Sequence, residues 1–291
     1  MGDHLDQDVT HQLKTWVGRT ETIWDEVSPA PVSALSATLD RDDPQPHAGE
    51  TLPPLWHWLY FMPRVRQSAL GRDGHPALGG FLPPVPLPRR MWAGGRLQWH
   101  APLSIGQSAK KISTVQDVAV KSGKSGPLVF VTVLHEIYQD DHLCISEEHD
   151  IVYRDYDRPG VKAPVLRSAP AESAFHREIV PDPVLLFRYS ALTFNGHRIH
   201  YDRTFCVDEE GYPGLVFHGP LTATLLVDLL RRQCPGKVIK SFDFRAVSPL
   251  FDVNSLSIHG CENQGREPGV YTLWAENHEG VLAMEATATL A

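Results

Sequence analysis

Phe187-Arg188-Tyr189-Ser190-Ala191-Leu192-Thr193-Phe194-Asn195-Gly196-His197-Arg198-Ile199-His200, followed shortly by Tyr212-Pro213-Gly214-Leu215-Val216-Phe217-His218-Gly219-Pro220-Leu221, is the stretch on which the reading of this chain turns. An amide, Asn195, and an imidazole, His200, stand close together at the end of an apolar segment. The turn His218-Gly219-Pro220 then opens a long apolar helix, Leu221 to Gln233, stopped by Pro235-Gly236. Leu221, Leu225, Leu229 and Leu230 fall on one side of it, and Asp228, Arg231 and Arg232 are expected outside. N–H groups at a helix start have no partner within the helix and carry partial positive charge. Beside a basic imidazole they suit a reaction in which a carbonyl oxygen gains negative charge.

Outward from this stretch the chain states one theme twice. In the first half, short helices are expected at Thr10–Val17 and Pro31–Leu39, and a strand at Thr20–Val27. Strands follow at Met91–His100, Lys110–Lys121, Leu128–Gln139 and Cys144–Arg154, divided by turn signals such as the cluster Ser122-Gly123-Lys124-Ser125-Gly126. The Pro-bearing segment Arg158–Pro170 reads as a linker. The second half repeats the order with a strand at Phe175–Val180, a helix at Pro183–Thr193, the long apolar helix, and strands at Val238–Ala246, Val253–Glu262, Gly269–Asn277 and Val281–Leu290. Helix followed by long antiparallel strands is an α+β pattern, a sheet wrapped around an apolar helix. Two such units are expected, residues 1–157 and 171–291, sharing a continuous sheet. From Pro44 to Pro88 the first unit is Pro-rich where its own long helix belongs, so an irregular segment shaping a binding slot is expected there.

Composition narrows the function. The 291 residues are 42% hydrophobic, enough for one large core or two ordinary ones, and the net charge of −8 argues against a nucleic-acid footprint. Cys144, Cys206, Cys234 and Cys261 form no Cys-x-x-Cys pair, which fits a reducing compartment. The acidic N-terminus lacks the features of a secretory or mitochondrial leader, and no apolar run reaches the roughly 18 residues of a membrane span. A soluble, cytoplasmic protein is expected, with no nucleic-acid or membrane partner. No nucleophile elbow, Walker loop or dinucleotide fingerprint is present.

The bland reading of His200 by itself is a buried, hydrogen-bonded core histidine. His197 and His200, three apart, could be a metal pair on one helical face, but no third ligand stands out and none is expected. Tyr189 and Ser190 precede the Asn195–His200 segment and line either a pocket or the core; Asp202 orients His200 or starts the next turn; His218 shapes the turn before Gly219. Arg89-Arg90, just ahead of a strand opening Met91-Trp92, can grip phosphates or a carboxylate, or be a solvated pair.

Thr193-Phe194-Asn195-Gly196-His197-Arg198-Ile199-His200 with the later His218-Gly219 pair resembles the signature of MaoC-like (R)-specific enoyl-thioester hydratases and dehydratases. Asn195 stands where that signature has its catalytic Asp, His197 where it has Asn, and Arg198 where it has Pro. In this form the segment looks like the branch containing mesaconyl-C4-CoA hydratases, itaconyl-CoA hydratases and type 2 hydroxyacyl-thioester dehydratases. Leu55-Trp56-His57-Trp58-Leu59-Tyr60-Phe61, Gly80-Phe81-Leu82-Pro83-Pro84 and Arg89-Arg90-Met91-Trp92-Ala93-Gly94-Gly95 extend the resemblance into the first half. It implies a double hot-dog fold and a hydro-lyase acting on an acyl-CoA, with CoA as part of the substrate and no metal or redox cofactor. It implies His200, Asn195 and Gly219 as catalytic residues, and Arg89, Arg90, Trp92, Tyr189, His197 and Arg198 as substrate contacts. C5 dicarboxylic thioesters, as in itaconate degradation, are the expected substrates. The alternatives are a fatty-acid dehydratase using acyl carrier protein or CoA, a thioesterase, and a binder without turnover. A chain holding both units can be a monomer or a homodimer.

Overall fold

The computed structural model describes residues 5–123, 126–156, 165–263 and 268–291. Ten strands form one antiparallel sheet: β1 (Thr20–Glu26), β2 (Arg89–Trp99), β3 (Ser108–Gly123), β4 (Gly126–Gln139), β5 (His142–Arg154), β6 (Phe175–Ile179), β7 (Ile239–Ala246), β8 (Leu256–Glu262), β9 (Val270–Asn277) and β10 (Leu282–Leu290). Their spatial order is β1-β3-β4-β5-β2-β7-β10-β9-β8-β6. The two halves therefore have the same internal strand order and meet seam to seam, β2 against β7, with Leu97 opposite Phe242 and Gly95 opposite Phe244. This is the double hot-dog arrangement.

Alternation explains the strands. In β4, Val129, Val131, Val133 and Ile137 share the buried side, as the two-residue pleat demands. Four α-helices accompany the sheet: α1 (Gln7–Lys14), α2 (Pro29–Thr38), α3 (Pro183–Leu192) and α4 (Gly219–Gln233). Every residue of α4 from Leu221 to Leu230 is buried, so it is the central helix that the sheet wraps, packed on β6, β8 and β9. Asp228, expected outside, is only 1% exposed and is held by Arg41, by Arg232 at 2.7 Å and by Arg177 at 3.6 Å.

Between β1 and β2, where the second half carries α3 and α4, the first half has α2 and then only two 3-10 turns, Trp56–Leu59 and Gln67–Ala69. The Pro-rich segment is thus irregular, as its composition requires. The turn at Trp56–Leu59 separates its two tryptophans: Trp56 is core, while Trp58 lines a large cavity. β8 begins at Leu256 rather than Val253, because Val253 lies in a turn anchored by Asp252, whose carboxylate accepts from the Leu215 N–H at 2.8 Å. Arg89 and Arg90 lie inside β2, not ahead of it. Most of the expected linker lies outside the described residues; Ala169, at its end, donates to the Gly280 carbonyl at 2.9 Å.

Gly94 and Gly95 allow the seam to close. A Cβ on Gly94 would stand 2.4 Å from the Phe244 carbonyl oxygen, and one on Gly95 would meet the Phe244 ring at 2.9 Å. Among the described residues no helix is long and apolar enough to cross a membrane.

Candidate active site

The segment after α3 turns sharply. Phe194 takes a left-handed φ of 50°, Asn195 donates its N–H to the Ser190 carbonyl at 2.8 Å, and a 3-10 turn over Arg198–His200 delivers His200 to the inside. His200 is 8% exposed, and its Nδ1–H donates to the Val216 carbonyl at 2.7 Å. That bond fixes the tautomer, so the Nε2 lone pair is the part of the ring left for chemistry. Burial pushes the His200 pKa down to about 4, partly offset by the Val216 bond. At neutral pH the ring is an uncharged base.

His218 stacks on His200 with ring centroids 3.8 Å apart, and is wholly buried. Ser190 Oγ and His218 Nε2 are hydrogen-bonded at 2.8 Å, and Tyr189 meets the same ring edge-on. His218 is the N-cap residue of α4, so Gly219, the first helical residue, opens directly beside the stacked rings. A Cβ on Gly219 would meet nothing within 4 Å, and the residue lines the cavity. The side-chain space there is open for an approaching ligand. Asn195 Oδ1 accepts from the His197 N–H at 3.0 Å, which leaves its amide NH2 able to donate into the cavity it lines.

The irregular segment of the first half closes onto this turn. Arg198 donates its N–H to the Asp73 carbonyl at 2.9 Å, and the His75 ring lies against His197 with centroids 3.9 Å apart. His75 Nδ1–H donates to Asp73 Oδ2 at 2.9 Å. Gly74, at φ +87°, makes the approach possible: a Cβ there would stand 1.9 Å from the Gly196 carbonyl oxygen. Backbone meets backbone, so neither side can rotate away. Gly74→Ala is expected to cost about 1–3 kcal/mol of stability through the strained φ. It should also lower kcat/KM at least tenfold by displacing the Asn195–His200 turn, which chemical denaturation and steady-state kinetics would read.

Asp73, His75 and His197 place one donor atom each within 4.8 Å of one another, and are the residues best placed among those described to hold a divalent ion. The Asp73–His75 hydrogen bond and the His75 ring against His197 also make the trio a clasp between the halves.

One cavity of about 1640 Å³ joins these groups to a second polar cluster in the first half. There Glu147 accepts from His57 Nε2 at 2.9 Å and from Trp58 Nε1 at 3.1 Å, and His135 is hydrogen-bonded to Ser113 Oγ at 2.8 Å. Burial works to raise the Glu147 pKa, but the His57 bond and neighbouring imidazoles carry it down to about 2. Lys111, its pKa lowered by burial, faces Glu147 and Glu21. Burial lowers His135 to about 3, helped by Lys111, and His149 to about 4.

His75, His135, His149, His197, His200 and His218 thus all titrate below the ordinary imidazole range, chiefly because burial penalises the charged ring. The unfolded chain takes up these protons near pH 6.5 while the folded chain does not. Stability is therefore complete above about pH 6.5 and lost progressively as pH falls towards 4, by up to ~1.4 kcal/mol per pH unit for each such ring. Urea unfolding at pH 7.5, 6.0 and 5.0 should show midpoints falling steeply; a flat series would mean that these rings are charged or solvated.

Of the residues singled out in the sequence, Asn195, His197, Arg198, His200, Tyr189, Gly219, Arg89, Arg90 and Trp92 all line this cavity. They are not equally available. Arg198 is bound to Asp202 at 2.8 Å and lies over the Phe205 ring, so Asp202 serves Arg198 and the Phe205 N–H rather than His200. Arg89 reaches Glu210 at 3.6 Å and lies over the rings of Tyr156 and Tyr212. Trp92 donates to the Gly94 carbonyl at 2.8 Å and packs on Trp58 and His149. Sequence reading missed Asp73, His75, Lys111, His135, Glu147 and His149. A signal for three of them was present: His135, Glu147 and His149 occupy the inward parity of β4 and β5, where an ionisable residue needs a reason.

Comparison with known proteins agrees with the fold and gives the family. Residues 55–252 match the family model described as hydroxyacyl-thioester dehydratase type 2. The chain is 49% identical to mesaconyl-C(4)-CoA hydratase of Chloroflexus aurantiacus over 276 residues, 94% of this chain and 96% of that protein. It is 32% identical to the mitochondrial hydroxyacyl-thioester dehydratase type 2 of Schizosaccharomyces pombe, covering 78% of this chain and 85% of the other. A Mycobacterium tuberculosis protein described as having a double hot-dog fold superposes with a TM-score of 0.59 at 14% identity, over 94% of this chain and 96% of that one; it bears on fold alone. With the match spanning both halves and the turn that carries His200, the chain belongs to the hydroxyacyl-thioester dehydratase type 2 family of hydro-lyases.

Proposed function

We propose that this protein adds water reversibly across the conjugated double bond of mesaconyl-C4-CoA, or of a closely similar C5 dicarboxylic thioester, to give a citramalyl-type product. The observation that carries the reading is a neutral His200 with Nδ1 committed to Val216, set beside the N-terminus of α4. A water O–H gives its proton to His200 Nε2 as its oxygen bonds to the β-carbon. The π electrons move onto the thioester oxygen, where the Gly219 N–H donates; such a donor contributes on the order of 3 kcal/mol. The enolate then collapses and the α-carbon takes the proton back from Nε2. Asn195, which cannot supply a proton as a carboxylic acid does, orients the water through its amide NH2.

The near identity in length with the Chloroflexus hydratase, and 49% identity throughout, support the dicarboxylic substrate. So does the polar wall of Lys111, His135, Glu147 and His149, against which hydrocarbon packs poorly. Residues 171–291 act as the catalytic unit, residues 1–157 shape the slot, and 158–170 connect them. β2 and β7 already pair the two units within one chain, so a single copy supplies the whole site. The reaction needs no metal or redox group, CoA entering with the substrate.

A spectrophotometric and mass-spectrometric assay of purified, EDTA-dialysed protein with mesaconyl-C4-CoA, itaconyl-CoA and crotonyl-CoA tests the reading. Hydration of a dicarboxylic thioester at full rate after dialysis is expected. Preference for long 3-hydroxyacyl chains would favour a fatty-acid dehydratase instead, and release of free thiol a thioesterase. As His200 is already neutral above about pH 5, kcat/KM should stay level from pH 8 to about pH 5.5 and lose its base only towards pH 4. An acid limb centred near 6.5 would contradict the buried, neutral ring.

A further inference from the structure

The cavity holds a cation that the hydration chemistry does not use. Several of its basic residues already have a carboxylate: Arg72 pairs with Glu209, Arg89 with Glu210, Arg167 with Glu285 and Arg198 with Asp202. Lys111 is faced by Glu147 and Glu21. Arg90 differs. It lies opposite Tyr153 in the β2–β5 ladder and lines the cavity, and no carboxylate of a described residue stands within ion-pair distance of it.

Its surroundings are imidazoles that burial keeps neutral. The Arg90 charge bears on His75, His197 and His149, and its guanidinium reaches the Tyr153 hydroxyl. His197 in turn meets His200 edge-on, with centroids 5.4 Å apart. Arg90 and the base thus line the same cavity, with the His75–His197 pair within reach of the Arg90 charge. A guanidinium that lines a cavity and has no carboxylate of a described residue against it attracts an anion of matching planar shape.

We propose that Arg90 anchors a carboxylate carried on the β-carbon itself, so that the substrate class is thioesters of fumarate-like diacids whose free carboxylate sits on the carbon that water attacks. This rests on the hydratase reading above and makes it more specific. A carboxylate one carbon further along, or a plain hydrocarbon, would leave the guanidinium unmatched. Anchoring there also fixes which face of the double bond meets His200.

The test uses two thioesters that differ only in this group: mesaconyl-C4-CoA, and 3-methylcrotonyl-CoA, in which methyl replaces the carboxylate. The ratio of their kcat/KM values is measured in wild type, Arg90→Gln and Arg90→Lys. The wild-type ratio should be large, fall at least 100-fold in Arg90→Gln and recover in part in Arg90→Lys. Binding without turnover gives a second readout: calorimetric affinity for the saturated methylsuccinyl-CoA should weaken far more than that for isovaleryl-CoA in Arg90→Gln. If Arg90→Gln changes both members of each pair equally, or leaves the ratios alone, the anchor is wrong while the hydratase reading stands. If wild type hydrates 3-methylcrotonyl-CoA as well as mesaconyl-C4-CoA, the substrate class is overturned. If it hydrates no enoyl thioester at all, the underlying reading falls with it.

Discussion

Replacing His200 by alanine is expected to lower kcat by about 10³–10⁴-fold, the upper part of the range for a general acid–base group, because one imidazole handles both proton transfers. The substitution removes Nε2, the only ring nitrogen of His200 not committed to the backbone. It leaves the Gly219 N–H and the Arg90 side chain in place, so KM should change little. The Val216 carbonyl loses its partner, which costs about 1–2 kcal/mol of stability and leaves the chain folded. His200→Gln offers an amide to the same carbonyl but no base, and it should be as inactive while recovering part of that stability. Stopped-assay product quantification with parallel circular dichroism checks both. Activity within tenfold of wild type in either variant would remove His200 from the chemistry.

The largest effect on stability is expected far from the reacting groups, at Asp228. Its carboxylate is buried on the central helix and holds Arg41 from the loop after α2, Arg177 from β6 and Arg232 from the next turn of α4. Arg232 also donates to the carbonyls of Leu39 and Asp40, at 3.2 and 3.3 Å, so the cluster ties the chain just after α2 to α4. Removing one member of such a cluster leaves the others without a counter-charge. Asp228→Ala should cost about 3 kcal/mol, the low end for a broken buried pair because the arginines retain some access to water. Denaturant midpoints would fall accordingly with an unchanged m-value. A loss below 0.5 kcal/mol would mean that the arginines find other partners. Catalysis at low temperature should persist, since α4 presents Gly219 from its opposite end.

The second half of this chain is legible because its signals are local. A run of leucines at helical spacing, a Gly-Pro start and alternating strands specify the sheet-wrapped helix within a few residues. The same alternation gives the strands of the first half. Asp228 shows where pattern reading bends: a charge suggests the outer face, but seven positions from Leu221 is close to two full turns, which returns it to the buried side. The partners that make it tolerable come from elsewhere, Arg41 lying 187 residues away. The clasp of Asp73 and His75 against His197, and the pairing of His57 with Glu147 across 90 residues, likewise depend on long-range closure. Nothing in the Pro-rich segment marks His75 as facing the site. Only Gly74, whose missing Cβ admits the Gly196 backbone, carries the physical reason. Arg90 and Arg89 look alike in sequence, and only the location of carboxylates in space separates them.

In the proposed hydration a single imidazole serves as both base and acid on one face of the substrate. Hydration of mesaconyl-C4-CoA in D2O, with the relative configuration of the new hydroxyl and the α-deuterium read by proton NMR of the isolated product, tests it most directly. His200 acting alone predicts that oxygen and deuterium arrive on the same face, giving one syn diastereomer. An anti product would require a proton donor on the opposite wall of the cavity and would rule out His200 as the sole acid–base group.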